Sequence, residues 1–108
     1  MDFEKLLKEL KDEIVAEAKD KFGSEGKVIV SDMQDYLDSS KEKLKKWSLL
    51  FVQGDIDKDE LAWLLKSQKD LLTMRSLLKI GVNKIKLGHF KNKIISIVFN
   101  KLVGMVPL

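Results

Sequence analysis

Apolar side chains recur at intervals of three and four residues along most of this 108-residue chain. That spacing places them on one face of an α-helix, where they can pack against a core. Short polar or glycine-containing stretches interrupt the pattern and divide the chain into four amphipathic segments. We therefore predict an all-α fold, an antiparallel bundle of about four helices in a single domain, 1–108. The predicted helices cover 2–22, 31–53, 57–80 and 89–106.

The second predicted helix has a heptad-like stripe, because its apolar positions follow alternating steps of four and three residues. Ser31 is its predicted N-cap, and Gln34 stands where a capping box needs it. The β-branched run 27–30 before it has no partner strand in the sequence, so we predict a connector. The stripe consists of Met33, Leu37, Ser40, Leu44, Trp47 and Phe51.

The turn between the second and third helices carries strong local signals. Gly54 favours the end of one helix, and Asp57 with Glu60 predicts a capping box at the start of the next. Asp55, Asp57 and Asp59 also share the spacing of the first ligands of an EF-hand. Glu60 and Lys66 stand where that loop needs glycine and glutamate. We predict a helix cap and no calcium site.

The third predicted helix carries a leucine stripe. Gln68 and Arg75 fall on the same side as the leucines, and we expect them at the edge of the stripe with their stems buried. The alternative is a buried polar layer that sets the register of packing. Gly81 is the predicted C-cap. The stripe consists of Leu61, Leu64, Leu65, Leu71, Leu72 and Leu78.

The C-terminal part of the chain is both the most apolar and the most basic. Residues 82–89 leave loop, strand and helix open, and the last helix has a broad apolar arc that includes Phe99. Residues 75–108 hold seven Lys or Arg and no acidic residue, whereas residues 1–40 hold eleven acidic and six basic ones. We expect the acidic first helix to lie beside the basic last helix. The alternative is a basic patch for nucleic acid or anionic lipid, formed by Lys79, Lys84, Lys86, Lys91 and Lys93.

Residues for catalysis or cofactor binding are sparse. The chain has one histidine, His89, and no cysteine, which rules out a His/Cys metal cluster. No acidic residue lies near His89 in the sequence, and there is no glycine-rich phosphate loop. We predict no enzymatic activity and no cofactor. The N-terminus lacks a signal-peptide pattern, and no apolar stretch is long enough to span a membrane, so we expect a cytoplasmic protein.

The segment Trp47–Leu72 resembles the short helical hairpin of the SHOCT family. A longer string in 63–71 together with 90–99 resembles a group of small bacterial helical proteins. The first resemblance implies a helical hairpin, the second implies a small helical protein, and neither implies an activity. The matching residues are Leu49, Leu50, Gly54, Ile56, Asp59, Glu60 and Leu61.

A helical chain without a catalytic constellation is expected to act through its surface. Trp63, Met74 and Val103 lie off the main apolar stripes, and together with Phe99 they form the predicted interface for a protein partner or a homo-oligomer. We therefore predict a non-catalytic interaction or assembly module. One alternative is a peripheral membrane protein that uses the apolar C-terminal helix. A less favoured one is a nucleic-acid binder that uses the basic residues of 79–93.

Overall fold

In the computed structural model, which describes residues 3–69, 72 and 75–104, all regular secondary structure is helical. This confirms the predicted all-α class. A 3₁₀ segment, Gly23–Ile29, joins the first two α-helices. The α-helices are α1 (Phe3–Phe22), α2 (Val30–Val52), α3 (Lys58–Lys66), α4 (Arg75–Lys79) and α5 (Lys84–Val103).

The core lies between α1, α2, α3 and α5. α1 packs against α2 and α5, and α3 packs against α5. The predicted stripe of α2 faces inward from Met33 to Trp47, with Ser40 buried among the apolar side chains. The inward face of α1 is equally regular, because its positions repeat at helical spacing. It consists of Phe3, Leu6, Leu7, Leu10, Ile14 and Ala18.

The predicted cap at Ser31 is wrong. α2 begins at Val30, and its N-cap is Ile29, which makes no side-chain capping bond. The preceding 3₁₀ segment already carries the backbone into a helical conformation, so no polar cap is needed where α2 begins. Gln34 acts elsewhere: its Oε1 accepts from Lys11 Nζ at 3.1 Å, and its Nε2 donates to Asp38 at 2.9 Å.

Residues 27–29 of the stretch predicted as a connector belong to this 3₁₀ segment, which folds back onto α1, and Val30 already begins α2. Gly26 is buried there against the backbone of α1. An ideal Cβ built on Gly26 would lie 2.4 Å from the carbonyl carbon of Ala18. Only glycine fits at that distance without a shift of backbone, so this residue sets how closely the segment approaches α1.

The turn between α2 and α3 follows the prediction. Gly54 has φ of 82°, its N–H donates to Phe51 O, and the next N–H donates to Leu50 O, which is a Schellman motif. The carboxylate of Asp57 accepts from Glu60 N at 2.7 Å, and Glu60 Oε1 accepts from Asp57 N at 3.3 Å. The predicted capping box is confirmed.

The prediction of one continuous helix over 57–80 is wrong. α3 ends at Lys66, where the Ser67 hydroxyl donates to Leu64 O at 2.5 Å, and α4 begins only at Arg75. Residues 70, 71, 73 and 74, including Leu71, lie outside the described residues. Helical phase is not carried across the break, so Leu77 is buried and the predicted core residue Leu78 is 46% exposed.

Gln68 and Arg75 separate in the structure. Gln68 is buried, with its Oε1 unpaired among the described residues, whereas Arg75 is exposed. The predicted edge position therefore fails for Gln68, because the chain leaves the helix at that point and turns its side chain inward.

The start predicted for the last helix at 89 is also wrong. α5 begins at Lys84, because the Asn83 side chain accepts from Lys86 N at 2.8 Å and caps the first turn. The residues left open in 82–89 are therefore mostly helical. Gly81 ends α4 as predicted: its N–H donates to Leu78 O, and Val82 N donates to Leu77 O.

Polar side chains also connect helices that are distant in the sequence. Asp32 Oδ2 on α2 accepts from Ser76 N at 3.0 Å and ties α4 to the start of α2. Lys101 on α5 pairs with Glu13 at 3.1 Å and Glu9 at 3.2 Å on α1, and these carboxylates raise the pKa of Lys101. The basic last helix therefore lies beside the acidic first helix, as expected.

Candidate interaction surface

A groove of about 180 Å³ runs between α3 and α5. Its walls are partly apolar because Ala62 on α3 and Ile95 and Phe99 on α5 line it. Phe99 is half-buried against the core and also lines the groove. The groove is lined by Ala62, Lys66, Ile95, Ser96, Phe99 and Asn100.

Trp63 stands beside this groove and is 70% exposed. Its position follows from helix geometry. Leu61 and Leu65 are fully buried, and at 100° per residue a side chain midway between them points away from the core. Trp63 therefore presents most of an indole ring to water, next to Ala62 at the groove wall.

Of the four predicted interface residues, Phe99 lines the α3–α5 groove, and Trp63 follows the lining residue Ala62 on α3 without lining the groove itself. Val103 is partly buried against the core one turn beyond Phe99 and does not line the groove. Met74 lies outside the described residues.

The five predicted basic residues do not share one surface. On α5, Lys84 and Lys91 are seven residues apart and lie on one face, whereas Lys86 and Lys93 lie on a roughly opposite face. Lys79 ends α4 and is exposed. The lysines are therefore divided around the helix and do not form a continuous stripe along it.

An apolar corner that the sequence analysis did not single out lies at the turn from α4 to α5. Ile85 is 74% exposed, and Leu78 and Ile80 are also exposed. Lys79, Lys84 and Lys86 are interleaved with them. The alternation of lysine and apolar residues in 84–87 was visible in the sequence, but only the cap at Asn83 shows that it starts a helix.

The apolar arc of α5 turns inward. Ile94, Ile95, Val98 and Leu102 are buried in the core, which leaves Phe99 and Val103 at its edge. Within the described part of the chain, no helix has the length and hydropathy needed to cross a membrane.

The core also contains unpaired polar atoms. Tyr36 and Ser40 are one helical turn apart on α2, and neither hydroxyl has a partner in hydrogen-bond geometry among the described residues. Burial raises the pKa of Tyr36 to about 12, and the nearby Ser40 hydroxyl partly offsets this effect. These groups lie inside the core and do not open onto the α3–α5 groove, whose lining includes neither.

Clusters suited to metal binding are not found among the residues that the structure describes, which contain no group of three His, Cys, Asp or Glu side chains placed to hold an ion. In the α2–α3 turn, the Asp57 carboxylate caps α3 and Asp59 lies in its first turn. No family model, curated protein or solved structure matches the chain.

Proposed function

We propose that this protein is a non-catalytic interaction module that binds a protein through the surface formed by Trp63 and the α3–α5 groove. The observation that carries the proposal is the exposure of Trp63 beside a groove with apolar walls. Tryptophan is enriched among the residues that dominate binding energies at protein interfaces. Covering the indole would remove a large apolar surface from water.

The groove is suited to this role because it combines shape with a few polar groups. Ile95 and Phe99 supply the apolar floor, while Ser96 and Asn100 offer hydrogen-bonding groups at the rim. Binding sites for proteins commonly have an apolar centre and a polar edge of this kind. The proposal includes antiparallel packing of α2 and α3, which the short capped turn at 53–57 supports.

Photocrosslinking in cells that produce the protein tests this proposal. A photoreactive phenylalanine derivative at position 63 keeps an aromatic ring in place of the indole and should give a discrete adduct of protein mass, because the side chain would lie inside a contact. The matched control is the same amino acid at Glu42, an exposed position on α2. Identical adduct patterns at 63 and 42, or no protein adduct at 63, would contradict the proposal.

A second function, contact with an anionic lipid surface, is favoured by the corner between α4 and α5. Exposed Ile85 and Leu78 stand among Lys79, Lys84 and Lys86, and apolar side chains surrounded by lysines are typical of proteins that bind membranes peripherally. This surface differs from the apolar arc of α5, which is buried.

Co-sedimentation with vesicles tests the second function. We expect binding to vesicles that contain phosphatidylserine and none to vesicles of phosphatidylcholine alone, because each lysine adds about 1 kcal/mol near an anionic surface. Ile85→Asp should abolish the binding and leave the fold intact, since the side chain is 74% exposed. Leu49→Asp on α2 is the matched control. Equal effects of the two substitutions would exclude the corner as the lipid contact.

A further inference from the structure

The outer face of α3 is complementary to itself. Asp59, Ala62, Trp63 and Lys66 lie on one face, because they are separated by three, one and three residues. Asp59, Trp63 and Lys66 are exposed, and Ala62 is half-buried at the groove. A two-fold axis perpendicular to α3, at the level between positions 62 and 63, places Asp59 opposite Lys66 of a second copy.

We propose that the partner at this surface is a second copy of the chain, whose α3 packs antiparallel to the first across that two-fold axis. This inference rests on the proposed function, since it names the occupant of the same surface. The contact is isologous, so each residue pair occurs twice.

Charge complementarity favours a second copy of the chain as the partner and an antiparallel packing of the two α3 helices. The antiparallel arrangement places Asp59 opposite Lys66 of the other copy, twice in the dimer. Neither Asp59 nor Lys66 has an ion-pair partner within the described residues of one chain, so both are available. A parallel arrangement would set Asp59 against Asp59 and Lys66 against Lys66, which is unfavourable.

Side-chain size fits the same axis. It sets Trp63 beside Trp63 of the other copy on one side of the contact and Ala62 beside Ala62 on the other, so the indoles can stack where the small alanines let the helices approach. The α3–α5 groove lies on the Ala62 side of the helix and borders this contact. The Trp63 side chains of both copies are covered in one contact, which removes the main exposed aromatic surface of each α3 from water.

Analytical ultracentrifugation of the full chain tests the inference by charge reversal. We expect the wild type to form a dimer in the micromolar range, typical of a small interface. Asp59→Lys and Lys66→Asp should each weaken the dimer about tenfold or more, since each substitution turns two attractive pairs into repulsive ones. The Asp59→Lys/Lys66→Asp double variant should restore the dimer to within about threefold of wild type.

Mixing the two single variants provides a second measurement. Asp59→Lys carries two lysines at these positions and Lys66→Asp carries two aspartates, so each is self-repelling and they should form a heterodimer when combined. Both substitutions place unfavourable charges on the dipole of α3. Recovery in the double variant therefore reports the contact between copies and not the stability of the helix. Trp63→Ala should abolish every form of the dimer.

A wild-type protein that stays monomeric at about 100 µM overturns the inference. So does a double variant that associates no better than the single ones. Failure of the dimer can be distinguished from failure of the proposed function. If only the dimer fails, the photoreactive amino acid at position 63 should form an adduct with a different protein. Failure of both would show as a monomer without any protein adduct at 63.

Discussion

Tyr36 shows how a single buried side chain affects stability. It is the only tyrosine in the chain, and its ring fills the core while its hydroxyl lacks a partner among the described residues. Burial disfavours the charged tyrosinate, which explains the raised pKa of about 12. The unfolded chain releases this proton at its ordinary pKa of 10.0, so folding and ionisation compete in strongly basic solution.

The consequence is a loss of stability at high pH that Tyr36→Phe should remove. Above the unfolded pKa of 10.0 the unfolded state binds fewer protons than the folded state, so stability falls until the pH passes the folded pKa of about 12. From about pH 9 to about pH 11 the wild type should lose about 1 kcal/mol more than Tyr36→Phe. Urea unfolding of both proteins at the two pH values measures the difference.

Ultraviolet absorbance of tyrosinate checks the same assignment directly, because no other tyrosine contributes. A midpoint near 10 in the folded protein, or equal pH dependence of the two proteins in urea, would show that burial does not govern this hydroxyl.

At the level of residues, the sequence predicted burial where helical phase was continuous. The inward faces of α1 and α2 follow from spacing alone. The burial of Leu77 and Gln68 could not be predicted from spacing, because it depends on where the chain leaves α3 and re-enters a helix. No local pattern encodes that phase change.

Among elements, the turn from α2 to α3 was predictable because its side chains act on their own backbone, whereas the equally local Asn83 cap of α5 was missed. Gly54, Asp57 and Glu60 form the expected turn and cap. The start of α2 was not predictable, because it depends on the 3₁₀ segment that precedes it. The hydrogen bond from Ser76 N to Asp32 Oδ2, between residues 44 apart, was equally unpredictable, since no local pattern indicates a cap supplied by another helix.

The contact between the 3₁₀ segment and α1 yields a prediction at this scale. Gly26→Ala should destabilise the protein by about 1–3 kcal/mol or more, because the added methyl would overlap the backbone at Ala18. Thermal unfolding measures the change.

Gly88→Ala is the matched control, since a Cβ at Gly88 meets no atom within 4 Å and the residue lies inside α5. It should stabilise by up to about 1 kcal/mol through helix propensity. If both variants were as stable as the wild type, the close approach of Gly26 to α1 would be excluded.

The molecule as a whole measures 42 × 24 × 24 Å. A width of 24 Å holds about two helix diameters, so every helix has one side near solvent. That thickness explains why the apolar arc of α5 could be buried while Trp63 and Ile85 on other surfaces remained exposed. Exposed large apolar side chains also occur on α2, but Trp63 on α3 and Ile85 at the start of α5 are the most exposed of them among the described residues.

The unequal burial of the two tryptophans has an experimental consequence. Trp47 lies in the core and Trp63 in water, so their fluorescence emission differs in wavelength and in access to a dissolved quencher. Unfolding moves the emission of Trp47 to the red, whereas covering the α3 face moves that of Trp63 to the blue. Opposite spectral shifts therefore separate loss of the fold from occupation of the surface in a single unlabelled sample.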